Sequence, residues 1–275
     1  MNSFHTPQLL DREKLRKIAP SVFAKEPYYG MSDRYSFIPT IEIIDNLMGK
    51  GWLPVKVMEA KSRKEDKHGF TKHLIRLRKS DAPVLVGDVI PEIVLVNSHD
   101  GASAFQMMAG LFRLICANGM VADDAIFQRA SIRHSGDVIG EVMYTAKHIN
   151  KEMPKLQSAV KKLQTIELTR DQQGAFAAAA LELRYDRNND GELLSPIRPE
   201  QLLIPRRRAD IGNDLWTTFN VVQEHLLKGG LRGRSHGETV RRVRTRAVQS
   251  VSEDVRLNRS LWSLTQEMAK LVKRR

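Results

Sequence analysis

The sequence predicts an α+β protein: an N-terminal antiparallel β-meander with helices, followed by a mostly helical C-terminal half. Three observations carry this reading. Between residues 52 and 109, short segments alternate in polarity or run apolar without a break, and turn residues separate them. Beyond residue 137, apolar residues recur every three or four positions. The 275 residues, 41% of them apolar, suffice for one large domain or two modest ones with real cores. The change of period divides the chain into an α+β core domain, 1–136, and a helical region, 137–275, that holds an Arg-rich loop and a C-terminal helix.

The elements follow in order. Residues 8–18 and 40–49 pattern as short amphipathic helices, the second with Thr40 as N-cap behind Pro39. Residues 52–63 alternate in part. In 71–79, His73, Ile75 and Leu77 share one face and Lys72, Leu74, Arg76 and Arg78 the other, a strand with a basic exposed face. "PEIVLVN" (91–97) is apolar on both faces and reads as a central strand; 102–109 is the next. After Gly110, Leu111, Leu114 and Ile115 share a helical face, which predicts a helix over 111–117 containing Cys116, stopped by Asn118-Gly119. Residues 125–133 offer one more strand. Ile139, Val142, Ala146, Ile149, Met153, Leu156, Val160 and Leu163 form a heptad-like stripe, interrupted by Pro154. Helices over 171–185, 212–227 and 253–272 complete the chain.

The composition excludes several classes. No apolar run approaches the roughly 20 residues of a membrane helix, and the N-terminal segment lacks a signal-peptide core, so the expectation is a cytoplasmic protein without membrane association. One cysteine excludes an intrachain disulfide framework and a multi-thiolate zinc site. The eight histidines form no H-x-x-x-H pattern, and there is no P-loop or G-x-S-x-G motif. No metal or other cofactor is expected, and no catalytic residue is assigned. "DRNNDGE" (186–192) begins like a calcium loop, but its twelfth position is Ile197 where a Glu is required, so it reads as an exposed turn.

The segment "NSHDGAS" gathers polar groups into one corner. Asp100-Gly101 is a strong turn signal. Asn97, His99 and Asp100 form a turn that could face a ligand. A catalytic triad needs groups that converge in space, however, and adjacent residues on a strand point to opposite faces.

Charge is the loudest signal. The net charge is +12, and residues 225–275 hold 13 Lys/Arg against 4 Asp/Glu. Such a pole attracts polyanions through counterion release. Within 228–248, Gly229, Gly230, Gly233 and Gly237 predict a mobile loop, and Arg232, Arg234, Arg241, Arg242, Arg244 and Arg246 supply planar phosphate donors. "PRRR" (205–208) could add to them. With Lys72, Arg76 and Arg78, these six arginines are the candidate nucleic-acid contacts. Base stacking would have to come from Trp52, Phe70 or Phe105.

The runs "RYSFIPT" (34–40), "HLIRLR" (73–78), "PEIVLVNSHDGASAFQMMAGLFRLICANG" (91–119), "NDLWTTFNVVQEHLLKGG" (213–230) and "LNRSLW" (257–262) together resemble the YafZ/YfjQ-type proteins of bacterial prophages and plasmids, defined by a domain of unknown function. The resemblance implies mobile-element biology and a bacterial cytosol, and carries over no catalytic residue. By analogy alone, the strand-strand-strand-strand-helix order is similar to the core of phage single-strand annealing proteins.

Three functions follow as expectations. The first is a nucleic-acid-binding protein of a mobile element, favouring single-stranded DNA, for annealing, recombination or replication, with homo-oligomerisation through the sheet or the stripe as an option. The second is a protein-binding effector that counters a host defence or toxin system through the stripe; the net charge argues against DNA mimicry. The third is a hydrolase centred on His99.

Overall fold

The computed structural model describes residues 9–32, 35–81, 89–113, 119–122, 130–131, 138–236 and 239–273. The chain divides into two compact units, Met1–Leu156 and Gln157–Arg275. The division falls inside a helix, further along the chain than the change of period at residue 137.

The first unit is built on an antiparallel sheet. Strands β1 (Trp52–Glu59), β2 (His73–Lys79), β3 (Val89–Asn97) and β4 (Gln106–Arg113) lie side by side in chain order, as the meander predicts. Two further strands, β5 (Gly119–Ala122) and β6 (Ala130–Ser131), both pair with β4. Pro54 is tolerated because β1 is an edge strand. The register shifts between Pro54 and Lys56, and the Pro54 carbonyl accepts from Leu10 N. Ile75, Leu77, Ile93, Leu95 and Met107 are fully buried.

Helix α1 (Arg12–Ile18) starts where Asp11 accepts a hydrogen bond from Lys14 N, 2.8 Å away. In α2 (Thr40–Met48), Pro39 occupies the cap position and Thr40 is the first helical residue, so Thr40 does not cap. Its side chain turns into the core instead, because a buried histidine there needs a hydroxyl partner.

The helix expected over 111–117 is absent where the chain is described. Leu111, Phe112 and Arg113 continue β4 and pair with β3, and Gly119 opens β5 opposite Phe112 instead of ending a helix. A strand paired on both sides can be apolar on both faces, and over a short run that pattern imitates a helical one. Cys116 lies outside the described residues, as does most of 125–133.

Helix α3 (Val138–Gln164) runs through Pro154 and across the division between the units. Of its stripe, Val142, Ala146, Ile149, Val160 and Leu163 are buried and Ile139 is half-buried. The side chains of Met153 and Leu156 lie outside the described residues.

The second unit packs α4 (Arg170–Glu182), α5 (Leu215–Lys228) and α6 (Val251–Lys273). Thr169 and Gln172 form a reciprocal capping box on α4, and Asp214 caps α5 through Thr217 N. Helix α5 is central: Leu215, Phe219, Val222 and Leu226 are buried, and so are Thr218, Asn220, Gln223, Glu224 and His225 on its other faces. The Phe219 ring meets Trp216 at 5.5 Å and the edge of Trp262 at 6.3 Å. Residues 186–193 form an exposed turn closed by Asn188 and Glu192, as the failed calcium pattern implies.

Candidate nucleic-acid interface

Within the Arg-rich segment two short strands pair as a hairpin. Strands β7 (Arg232–Arg234) and β8 (Arg242–Arg244) pair antiparallel, with Arg232 opposite Arg244, Gly233 opposite Val243 and Arg234 opposite Arg242. Side chains alternate along a strand, so the four arginines share one face. All four are exposed and, with Gly233 and Val243, line a concavity of about 630 Å³. Arg241 and Arg246 flank the hairpin, also exposed. Among the described residues, no carboxylate lies within ion-pair distance of any of the six.

Two of the glycines expected to loosen this segment sit at close backbone contacts. Gly229 adopts φ +61°, and a Cβ there would sit 2.6 Å from the Thr245 oxygen. A Cβ on Gly233 would overlap the Pro196 carbonyl. That carbonyl accepts a hydrogen bond from Arg234 N at 2.9 Å, and Gln201 Nε2 donates to the Arg232 carbonyl at 2.9 Å. Gly229 lets the chain meet residues 245–246, and Gly233 lets the hairpin dock on residues 195–201. Gly237 lies outside the described residues. The sequence did hold a signal for this: R-G-R and R-V-R are period-2 patterns separated by turn residues.

The "PRRR" arginines do not join the face as a group. Arg206 donates to Nδ1 of His225, and Arg207 pairs with Asp210 and Glu224. Glu224 is also 2.8 Å from Lys228 Nζ. Despite burial, these hydrogen bonds hold its carboxyl below the usual range.

The basic face expected on β2 is also not open. Arg76 Nε lies 2.6 Å from Glu92 Oε2, and Arg78 lies 2.6 Å from Glu92 Oε1. The Glu92 side chain is wholly buried, and those of Arg76 and Arg78 are 6% and 12% exposed. Alternation places two arginines on one face of a strand, but here β3 supplies a carboxylate to that face and both cations are consumed. Lys72 is half-buried. Trp52 and Phe105 are core residues and Phe70 is half-buried, so neither Trp52 nor Phe105 offers a stacking surface.

The polar turn faces inward. Asn97 and His99 are buried. Asn97 Nδ2 donates to the Ile38 carbonyl and to Thr40 Oγ1. Asp100 accepts from Ala102 N and pairs with Lys67 at 3.4 Å. None of the three is presented to a ligand. The corner is a turn, with Gly101 at φ +76° and Ser98 bonded to Ser103.

Beside it lies a buried histidine pair. The rings of His73 and His99 are 5.2 Å apart, and burial lowers His73 to about 3 and His99 to about 4. Ser21 Oγ is 2.8 Å from His73 Nδ1, a separation suited to nucleophile and base. However, Nδ1 also faces the Thr71 carbonyl at 3.1 Å and so carries the proton, leaving Nε2 to accept from Thr40. A protonated Nδ1 cannot take the serine proton, and both groups are sealed from solvent. The cluster is structural. Among the described residues, no group of three His, Cys, Asp or Glu side chains could hold a metal ion.

A family model described as a domain of unknown function, DUF932, matches residues 29–262. The chain belongs to the DUF932 family. It is 38% identical over 259 residues to the UPF0380 protein YafZ of Escherichia coli (strain K12), covering 94% of this chain and 91% of that protein. The UPF0380 protein YfjQ of the same organism matches to the same extent. The family match and these relatives confirm the resemblance drawn from the sequence runs. No solved structure matches. The DUF932 match spans both the polar turn and the arginine hairpin. Among the described residues, no helix is long and apolar enough to cross a membrane.

Proposed function

We propose that this DUF932 protein binds nucleic acid for a mobile genetic element, engaging single-stranded DNA in annealing, recombination or replication. The observation that supports this reading best is the face of Arg232, Arg234, Arg242 and Arg244, exposed and without a carboxylate partner among the described residues. Guanidinium groups in this setting are suited to phosphate oxygens. The face is two short strands wide, which favours one nucleic-acid strand over the breadth of a duplex. With few aromatic residues nearby, contact would track the backbone and be nearly indifferent to sequence.

The test is binding of labelled single- and double-stranded DNA across a salt series, for the wild type and for R232Q/R234Q/R242Q/R244Q. The expected result is salt-weakened binding, tighter for single strands and greatly reduced in the variant. Binding that ignores salt would overturn the proposal. No binding at low salt would also overturn it, and would move attention to a host protein as partner. The stripe on α3 is a poor candidate for that contact, because five of its residues are buried.

A further inference from the structure

We propose that the hairpin holds two consecutive phosphates of one nucleic-acid strand, each gripped by a cross-strand arginine pair: Arg232 with Arg244, and Arg234 with Arg242. This deepens the nucleic-acid reading above and rests on it.

The hydrogen bonds fix the phase of the hairpin ladder. Opposed residues in an antiparallel pair alternate between wide, hydrogen-bonded positions and narrow, non-bonded ones. At one end Thr245 N donates to the Leu231 carbonyl, and at the other Ser235 N donates to the Arg241 carbonyl. These are the hydrogen-bonded positions, and two steps inward Gly233 and Val243 form the next. Both arginine pairs therefore occupy narrow positions. A separate observation agrees: Arg234 N and the Arg232 carbonyl point away from the partner strand, toward Pro196 and Gln201.

Narrow positions bring opposed Cα atoms to about 4.5 Å and the side chains closest together. Like charges placed directly opposite one another destabilise a sheet. This hairpin carries two such pairs, about 6.7 Å apart along the strands, and no described carboxylate relieves them. Several other arginines have carboxylate partners: Arg76 and Arg78 share Glu92, Arg207 has Asp210 and Glu224, and Arg256 has Glu253. A bound anion would supply the balancing charge. A phosphate has enough oxygens to accept from two guanidinium forks at once. Two pairs in line match two successive phosphates along a strand. Because the hairpin is already docked on residues 195–201, binding costs little loop ordering.

Charge-matched variants of the full chain test the pairing, with fluorescein-labelled oligothymidylate as probe in a salt series. R232Q/R244Q removes one whole pair. The slope of log affinity against log salt should fall by roughly 0.7, the loss of one single-strand phosphate. R232Q/R234Q removes two charges as well but leaves one arginine in each pair. Affinity should fall while the slope stays near that of the wild type. Equal slope changes in the two variants would overturn the pairing and leave the hairpin as a face of independent charges. Wild-type binding by R232Q/R234Q/R242Q/R244Q would overturn the hairpin as the contact. Capture of phosphatidylglycerol vesicles without oligothymidylate binding would overturn the choice of a nucleic acid.

Discussion

The Thr40 hydroxyl lies 2.9 Å from Nε2 of His73, tying the first turn of α2 to the start of β2 inside the core. Ser21, Thr71, Asn97 and His99 complete this buried polar cluster. Such a network holds the helices and the sheet in one arrangement, because each buried polar group is costly once its partner moves.

The cluster makes stability depend on pH. Folding lowers His73 to about 3 and His99 to about 4, mainly through burial, from an unfolded value near 6.5. Their contribution is complete above about 6.5. Below that the unfolded chain binds protons that the folded chain refuses, so stability falls as pH drops toward 4 and then 3. His225 in the second unit shifts in the same direction, again through burial. Urea unfolding at pH 7.5, 6 and 5 should show a falling midpoint, with a shallower fall in H99F. A midpoint constant over that range would contradict this account.

Glu92 holds two guanidinium groups with a wholly buried carboxylate. E92A removes the buried carboxylate that both cations share and should destabilise the protein by about 3–5 kcal/mol. The triple change R76M/E92L/R78M removes the charges together and should cost less than E92A alone. Denaturant titration of both variants gives the comparison.

Gly233 allows the hairpin backbone to meet Pro196. In G233A the added methyl must push the two apart, straining the Arg234 N–Pro196 O bond, at about 1–3 kcal/mol. Every arginine is retained, yet DNA binding should weaken, because the array loses its support. Unchanged binding with an unchanged melting temperature would show that the docking is dispensable.

Thr169 caps α4 through Gln172 N, while Gln172 bonds back to Thr169 N. T169A should cost about 1 kcal/mol. T169S and T169D should recover most of it, as thermal melts can show.

Much of the fold is legible in the sequence, for identifiable reasons. Strands β1 to β3 and helices α2, α4, α5 and α6 follow from periodicity and from caps that act over three or four residues. Past Gly110 the sequence suggests a helix where Leu111, Phe112 and Arg113 continue β4, because a strand paired on both sides need not alternate. The packing role of Gly229 and Gly233 is not legible in the sequence, because the atoms that crowd them come from residues 245–246 and 196–197.

By itself the sequence determined the α+β class, the order of most elements, the family and the concentration of positive charge toward the C-terminus. These depend on local spacing and on composition, which fold along with the chain. Only the tertiary structure decided which charges remain available. Arg76 and Arg78 share a face with Glu92, which follows them by 14 residues or more, and are neutralised. Arg232, Arg234, Arg242 and Arg244 face solvent with no described carboxylate beside them. Coulomb interaction acts over a few ångströms of space, and the chain brings those ångströms together without regard to distance along the sequence.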